Sequence, residues 1–250
     1  TLILNEDTNQ NKLYHLIELC IECKVDCLSD QNLSYLLKAH RADDDVLSTL
    51  MSYIQVFKRD KFKDDLYALI QLSYPETLKF QMIELLMELY SLEDLDLELL
   101  EKSVKTKKNK VFFEDYLRYL QNKKCFSPKG LVILQSMFYG DFEDSGKGNN
   151  GGLAVLLKSL GNEIAEDENV DLMVTITLTD KLTKSFISHV RDNHVFIRLP
   201  MYLNRKGADP FIKRELSLKR YIKKFLEDSG LNPEIYHVRY LDNTSRAVAH

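Results

Sequence analysis

The stretch Met137–Gly152, MFYGDFEDSGKGNNGG, decides the interpretation of the C-terminal half of this chain. It follows an apolar run (130–138) and precedes an amphipathic run (153–164), so it predicts a strand, a glycine-rich loop and a helix. Gly151 and Gly152 fall where that helix begins, and glycine there lets a ligand approach the backbone N–H groups. Because the first N–H groups of a helix favour anions, we predict a site for a phosphorylated or strongly polar ligand.

Known phosphate-binding motifs fit the loop only in part. No Gly-Lys-Ser/Thr sequence closes it, as a Walker A motif requires, and Gly146-Lys147-Gly148 only begins like a dinucleotide fingerprint. A flexible connection between strand and helix is therefore the alternative interpretation. Polar residues also follow the other predicted strands, which favours the ligand site.

The C-terminal half, 127–250, alternates short apolar runs with amphipathic ones. Four strands are predicted, at 131–139, 170–178, 194–199 and 234–240, and helices at 152–166, 182–192, 210–229 and from 242. This order predicts an α/β fold with a Rossmann-like parallel sheet, in which ligands bind beyond the C-terminal strand ends. A doubly wound sheet usually has five or six strands, so we expect a truncated sheet, incomplete at its C-terminus, and a chain that is a fragment of a longer polypeptide.

The N-terminal half, 1–126, predicts an all-helical accessory domain. Apolar residues recur there every three or four positions, Ser29 and Asp43–Asp45 suit N-caps, and Pro75 suits a first helical turn. The predicted helices are 9–25, 29–40, 44–59, 63–73, 75–89, 95–106 and 110–122.

Composition bounds the class of protein. The chain has 250 residues, a net charge of −4 and no apolar run of membrane-spanning length, so neither a nucleic-acid binder nor a membrane span is predicted. Cys20, Cys23 and Cys27 are predicted on one helix face, as core cysteines rather than metal ligands, because no zinc-type cluster follows. A reduced, cytoplasmic setting is expected.

Basic residues at strand ends are candidate anion ligands. Many of the Lys and Arg residues between 181 and 224 fit the solvated face of helix 210–229. Arg198, Arg205 and Lys206 differ, because they lie at or after a strand end, where a phosphate could be bound.

The last predicted strand adds three polar residues. His237 is either a hydrogen-bonded core residue or a site residue, and Asp242 either caps the last helix or contributes to the site. Arg239, at the mouth of a parallel sheet, requires an anionic or carbonyl partner.

The order of these pieces resembles the N-terminal domain of retaining GT-B glycosyltransferases of the sucrose-phosphate synthase and sucrose synthase group. Three stretches carry the resemblance: DSGKGNNGGLAVLLKSL (144–160), VFIRLPMYLNRKGADPFIKRELSLKRYIKKF (195–225) and PEIYHVRYLDNTSRAVA (233–249). Leu153 stands where the family loop has Gln, and Arg239 where the family's last strand has a second His.

The resemblance implies a half-enzyme. In the family, an N-terminal domain binds the sugar acceptor and a second Rossmann-like domain binds the nucleotide-sugar donor across a cleft. This chain would supply the acceptor side, would lack the donor side and would be inactive alone. No cofactor or metal is implied beyond the nucleotide-sugar substrate. From the resemblance together with the positions of polar residues at strand ends, the predicted substrate-binding residues are Lys147, Gly151, Gly152, Arg198, Lys206, His237, Arg239 and Asp242.

Two other functions fit the same sequence. The helical half could recruit a protein partner, which would make the chain a scaffold with a ligand-binding α/β domain. The α/β half could also belong to an unrelated phosphosugar- or nucleotide-dependent enzyme.

Overall fold

The computed structural model describes residues 10–137, 140–146, 151–203, 214–238 and 247–249. The chain divides into two compact units. Of the described residues, the first unit contains 10–105 with Tyr202 and Leu203, and the second contains the others.

The first unit is helical, as predicted. Its third helix, α3, packs against α1 and α5, and both Leu47 and Leu50 at its centre are fully buried. Ser29 and Asp43 cap α2 and α3 by accepting backbone N–H groups, which confirms both predicted N-caps. In the described parts of the chain, no helix combines the length and apolar character needed to cross a membrane. The helices are α1 Gln10–Glu22, α2 Asp30–Ala39, α3 Asp44–Val56, α4 Lys63–Ile70, α5 Glu76–Leu89 and α6 Leu97–Val104.

The prediction of three core cysteines on one helix face is wrong. Helix α1 ends at Glu22, and Lys24 has a positive φ of 53°, so the chain turns away from the helix axis. Cys20 is half-buried, while Cys23 and Cys27 are exposed.

Helix α7 (Lys110–Gln121) belongs to the second unit, so the division falls between Lys105 and Thr106 rather than after residue 126. The aromatic face of α7 explains this. The Tyr116 ring lies 5.0 Å from the Phe186 ring, and the Tyr119 ring lies 5.7 Å from that of Phe225. An amphipathic pattern shows that a helix buries one face but not which element covers it.

The second unit contains a five-stranded, mostly parallel sheet. The strand order is β3-β4-β2-β1-β5, and all neighbours are parallel except β3 and β4. Helix α8 connects β1 to β2, and helix α9 lies between β4 and β5 in sequence. The bounds are β1 Leu131–Ser136, α8 Gly151–Ile164, β2 Val170–Leu178, β3 Ile187–Arg191, β4 His194–Leu199, α9 Glu215–Ser229 and β5 Ile235–His237.

The helix predicted at 182–192 is wrong, because the segment contains β3. Asp192 and Asn193 form the two-residue turn of a β3–β4 hairpin, and this pair of residues is typical of such turns. The hairpin makes the sheet mixed rather than wholly parallel.

The two faces of the sheet differ in polarity. Side chains alternate between faces along a strand, and Gln135, Thr175, His194 and Arg198 project toward the face that α8 covers. The Gln135 side chain contacts a backbone carbonyl of α8, which fixes that assignment. The opposite face is apolar and includes Val132, Leu134, Val174, Ile176, Leu178, Val195, Ile197 and Leu199.

Candidate functional site at the strand-order switch

The candidate site lies where the strand order reverses. From β1 the chain moves outward to β2 and β4, then returns to place β5 on the other side of β1. In open α/β sheets the connections diverge at such a point and leave a crevice beyond the C-terminal strand ends. Ser136 at the end of β1, His237 at the end of β5 and Gly151 at the start of α8 border this edge.

Gly151 and Gly152 have different surroundings. The Gly146 N–H donates to the Gly151 carbonyl oxygen at 3.1 Å, and a Cβ on Gly151 would lie 2.6 Å from the Gly146 carbonyl carbon. The close approach of the loop therefore requires glycine at 151. Among the described residues, no atom lies within 4 Å of where a Cβ on Gly152 would stand, and Gly152 is exposed. Gly151 is needed for packing, whereas none of the described residues restricts the side of Gly152 at the start of α8.

Arg198 binds the loop after β1 instead of projecting into the solvent. Its side chain is 1% exposed, and its guanidinium forms a bidentate pair with Asp141 at 2.5 and 2.9 Å. Its remaining N–H groups donate to Glu143 Oε1, the Ser185 carbonyl oxygen and Ser188 Oγ at 2.6–2.8 Å. These contacts engage all five N–H donors of the guanidinium. In this structure Arg198 fixes the loop and does not present an open donor to a phosphate.

Lys184 extends this ionic cluster. Its Nζ lies 3.2 Å from Asp141 Oδ1 and 3.0 Å from Asp144 Oδ2. Burial raises the pKa of the Asp141 carboxyl, but hydrogen bonds from Arg198 and the Glu143 N–H outweigh that effect and hold this pKa below its ordinary value. The cluster contains three carboxylates and two cations, so it does not supply the positive charge expected of a phosphate site.

A continuous hydrogen-bond relay crosses the sheet on the face covered by α8. Its members come from four adjacent strands and the helix. His237 Nδ1 lies 3.0 Å from Gln135 Oε1, and Gln135 Nε2 lies 3.1 Å from Thr175 Oγ1. Thr175 Oγ1 lies 2.9 Å from His194 Nε2, and His194 Nδ1 lies 2.8 Å from Asn162 Oδ1. Gln135, Thr175 and His194 are all fully buried.

The chemistry of its members gives this relay one direction. Asn162 Oδ1 only accepts, so His194 carries its proton on Nδ1 and accepts from the Thr175 hydroxyl through Nε2. The Thr175 oxygen in turn accepts from Gln135 Nε2, whose second hydrogen goes to the Leu157 carbonyl oxygen at 2.9 Å. Gln135 Oε1 then has only the Nδ1–H of His237 as its donor in this relay. The relay therefore fixes the protonated nitrogen of His237 at the candidate site.

Burial keeps His194 neutral. Burial, followed by the charges of Arg191 and Lys158, lowers the pKa of His194 from 6.5 to about 4. Gly161 of α8 makes the close approach possible, because a Cβ there would lie 2.5 Å from His194 Cε1. The inner end of the relay is thus a neutral imidazole in a fixed tautomer.

We expect Gly161→Ala to lower the free energy of unfolding by about 1–3 kcal/mol, because the added methyl group overpacks the contact with His194. In a His194→Ala background the same change should cost little, since the imidazole is gone and alanine favours the helix. Urea unfolding of the four proteins in a double-mutant cycle measures this coupling. Additive effects would contradict the packing argument.

The structure brings some predicted site residues together and separates others. Gly151, Gly152 and His237 lie at one edge of the sheet. Arg198 is in the ionic cluster. Lys147, Arg205, Lys206, Arg239 and Asp242 lie outside the described residues.

The relay and the ionic cluster were missed from sequence. The available indication of the relay was Gln135, a long polar side chain in the otherwise largely apolar strand LVILQS. Within the part of the chain that the structure describes, no group of three or more His, Cys, Asp or Glu residues is arranged to bind a metal ion.

Comparison with protein-family models, with curated protein sequences and with solved structures yields no match. The geometry of the site and the sequence resemblance therefore carry the functional proposal.

Proposed function

We propose that this chain is the acceptor-binding part of a retaining GT-B glycosyltransferase. The enzyme would transfer a sugar from a nucleotide-sugar donor to a sugar or sugar-phosphate acceptor, and a second Rossmann-like domain would bind the donor. The strand order supports this proposal, because the four parallel strands follow the doubly wound order 3-2-1-4. The three matching sequence stretches support it independently.

One observation carries the proposal, namely the open first turn of α8 beside the strand-order switch. Gly152 is exposed there, and none of the described residues occupies the space on its Cβ side. In glycosyl transfer, negative charge develops on the departing nucleoside diphosphate, and preorganised N–H donors stabilise it. The positive end of a helix dipole and unpaired N–H groups suit both that charge and an acceptor phosphate.

The proposal gives the site residues distinct roles. Gly151 shapes the loop, Gly152 admits the ligand and His237 contacts the acceptor through the imidazole that Gln135 orients. Arg198 supports the loop instead of binding substrate. Lys147, Lys206, Arg239 and Asp242 stay proposed substrate contacts on the strength of their positions in the sequence.

The proposal predicts that sugar phosphates bind at the start of α8. Titrating the ¹⁵N-labelled chain with glucose 6-phosphate and fructose 6-phosphate should shift the amide resonances of Gly151, Gly152 and His237. Gly152→Val should weaken this binding about tenfold or more, because its branched side chain blocks a hydrogen bond to a charged group that contributes about 1.5–3 kcal/mol. With a nucleotide sugar added, the chain alone should show no transfer.

Ser159→Val is the matched control, because it places the same side chain at an exposed position of the same helix, away from its start. It should bind sugar phosphates like the wild type. Equal affinities for the wild type and a folded Gly152→Val protein would remove the start of α8 from the site. Absence of binding by the wild type both to sugar phosphates and to unphosphorylated sugars would overturn the proposed function.

A further inference from the structure

The geometry points to Cys20 and Cys27 as a disulfide-forming pair, an oxidative modification site in the first unit that is independent of the proposed glycosyltransferase function. Their Sγ atoms lie 3.3 Å apart although the residues are seven positions apart in sequence. A disulfide has an S–S distance of about 2.05 Å, so the two sulfurs need to approach by little more than about 1 Å.

The turn after α1 brings the two sulfurs together. The Val25 N–H donates to the Cys20 carbonyl oxygen at 2.8 Å, and Lys24 has the left-handed conformation that reverses the chain. The segment containing Cys27 therefore folds back along the last turn of α1.

Both neighbours of Cys27 are anchored to α3 and the residues that follow it. The Tyr53 hydroxyl donates to Asp26 Oδ1 at 2.8 Å and accepts from the Leu28 N–H at 3.0 Å. The Arg59 guanidinium donates to Asp26 Oδ1 at 2.6 Å and to the Leu28 carbonyl oxygen at 3.0 Å. With Asp26 and Leu28 fixed, the backbone of Cys27 is fixed between them. The thiol pair is a preorganised feature of this unit rather than a chance contact in a loose loop.

The two thiols differ in a way that sets the order of reaction. Burial, and then the hydrogen bond with Cys27, raises the pKa of the Cys20 thiol to about 11. Cys27 is exposed, so it is the thiol that an oxidant reaches first. Cys20 is correspondingly placed to resolve the product formed on Cys27.

The co-reactant is a low-molecular-mass disulfide such as oxidised glutathione. The Cys27 thiolate attacks one sulfur of the oxidant, which forms a mixed disulfide and releases one glutathione thiolate. Cys20 then loses its proton and attacks Cys27 Sγ, which forms the Cys20–Cys27 bond and releases the second glutathione. The two protein thiols are oxidised by two electrons, and one glutathione disulfide is reduced to two thiols.

The test equilibrates the full chain with buffers of reduced and oxidised glutathione. After alkylation of free thiols and digestion without reduction, mass spectrometry identifies the linked peptides. We expect a Cys20–Cys27 linkage, with the accessible thiols falling from four to two. Cys23→Ser should form the same bond, because Cys23 has no part in it.

Cys20→Ser is the diagnostic variant, because it should stop at the glutathione mixed disulfide on Cys27. A wild-type linkage that contains Cys23 instead of Cys20 would overturn the assignment. So would a mixed disulfide on Cys27 that persists in wild-type protein. Binding of sugar phosphates is measured on the second unit, so failure of either proposal is distinguishable from failure of the other.

Discussion

Replacing Arg198 with leucine is expected to destabilise the second unit by about 3–5 kcal/mol, because it removes the bidentate partner of a partly buried carboxylate and leaves Lys184 as its cationic neighbour. Asp141 accepts two hydrogen bonds from Arg198, and its side chain is 15% exposed. Amide hydrogen exchange in β2 and β4 is the appropriate measurement, since it reports on this unit separately from the helical one.

The loss of stability should depend on pH in a defined direction. In the wild type the pKa of Asp141 is below its ordinary value, so this group contributes stability above about pH 4 that is lost as pH falls through its folded-state pKa. Removing Arg198 takes away the largest of the influences that lower this pKa and leaves the Glu143 N–H and Lys184 to oppose the effect of burial. The stability that Arg198 contributes through the ionised Asp141 is lost in the wild type when Asp141 is protonated, so the difference between wild type and variant should shrink as the pH falls below about 4.

Arg191→Leu is the matched control. Arg191 pairs with Glu166, but both side chains are about half exposed, so its removal should cost at most about 1 kcal/mol. Adding Asp141→Asn to Arg198→Leu should restore part of the stability by removing a partly buried charge that has lost its bidentate partner. An Arg198→Leu protein with wild-type exchange rates at pH 7 would show that the ionic cluster does not hold the loop.

The sequence predicted the regular elements well, because each depends on local pattern. Strands β2 and β4 have the predicted bounds, and helices α3 and α4 begin where predicted. Periodic apolar residues and capping side chains act over a few residues, so a sequence displays them directly.

The rest of the fold depends on partners that are distant in sequence. The segment of β3 contains polar and apolar residues in an order that suits a short helix. It forms a strand instead, because it pairs with β4. Similarly, the amphipathic pattern of α7 shows that one face needs an apolar surface to pack against. Phe186 and Phe225 supply that surface. Pairing and docking of this kind are tertiary choices that override local preference.

The candidate site, too, was predictable from sequence where it depends on neighbouring residues and not where it depends on distant ones. The glycines at the start of α8 were predicted because a strand, a loop and a helix are adjacent in sequence. Arg198 was predicted as a phosphate ligand because an arginine at a strand end requires an anion, and that anion is the protein's own Asp141, 57 residues earlier. The residue type revealed the need for a partner but not its identity.

Gln135 connects the fold to the proposed chemistry, since it is the one side chain of the relay that touches His237. Gln135→Met keeps the approximate shape of the side chain. It removes Oε1, which accepts from His237 Nδ1–H, and the two N–H donors of Nε2. Because the buried Thr175 hydroxyl and the Leu157 carbonyl oxygen each lose the hydrogen bond from Gln135, we expect a loss of about 2–3 kcal/mol in the stability of the second unit. We also expect His237 to lose its single tautomer, and sugar-phosphate binding to fall about tenfold.

A purely structural role for Gln135 predicts only the first of these effects, so the tautomer of His237 is the decisive measurement. Thr175→Val supplies the comparison, because it cuts the relay between Gln135 and His194 yet preserves the hydrogen bond from His237 to Gln135. It should lower stability and leave the ¹⁵N shifts of the His237 ring those of the Nδ1–H form, whereas Gln135→Met should give averaged shifts. If both variants leave His237 in one tautomer, other contacts orient the ring, and the relay is a feature of the core alone.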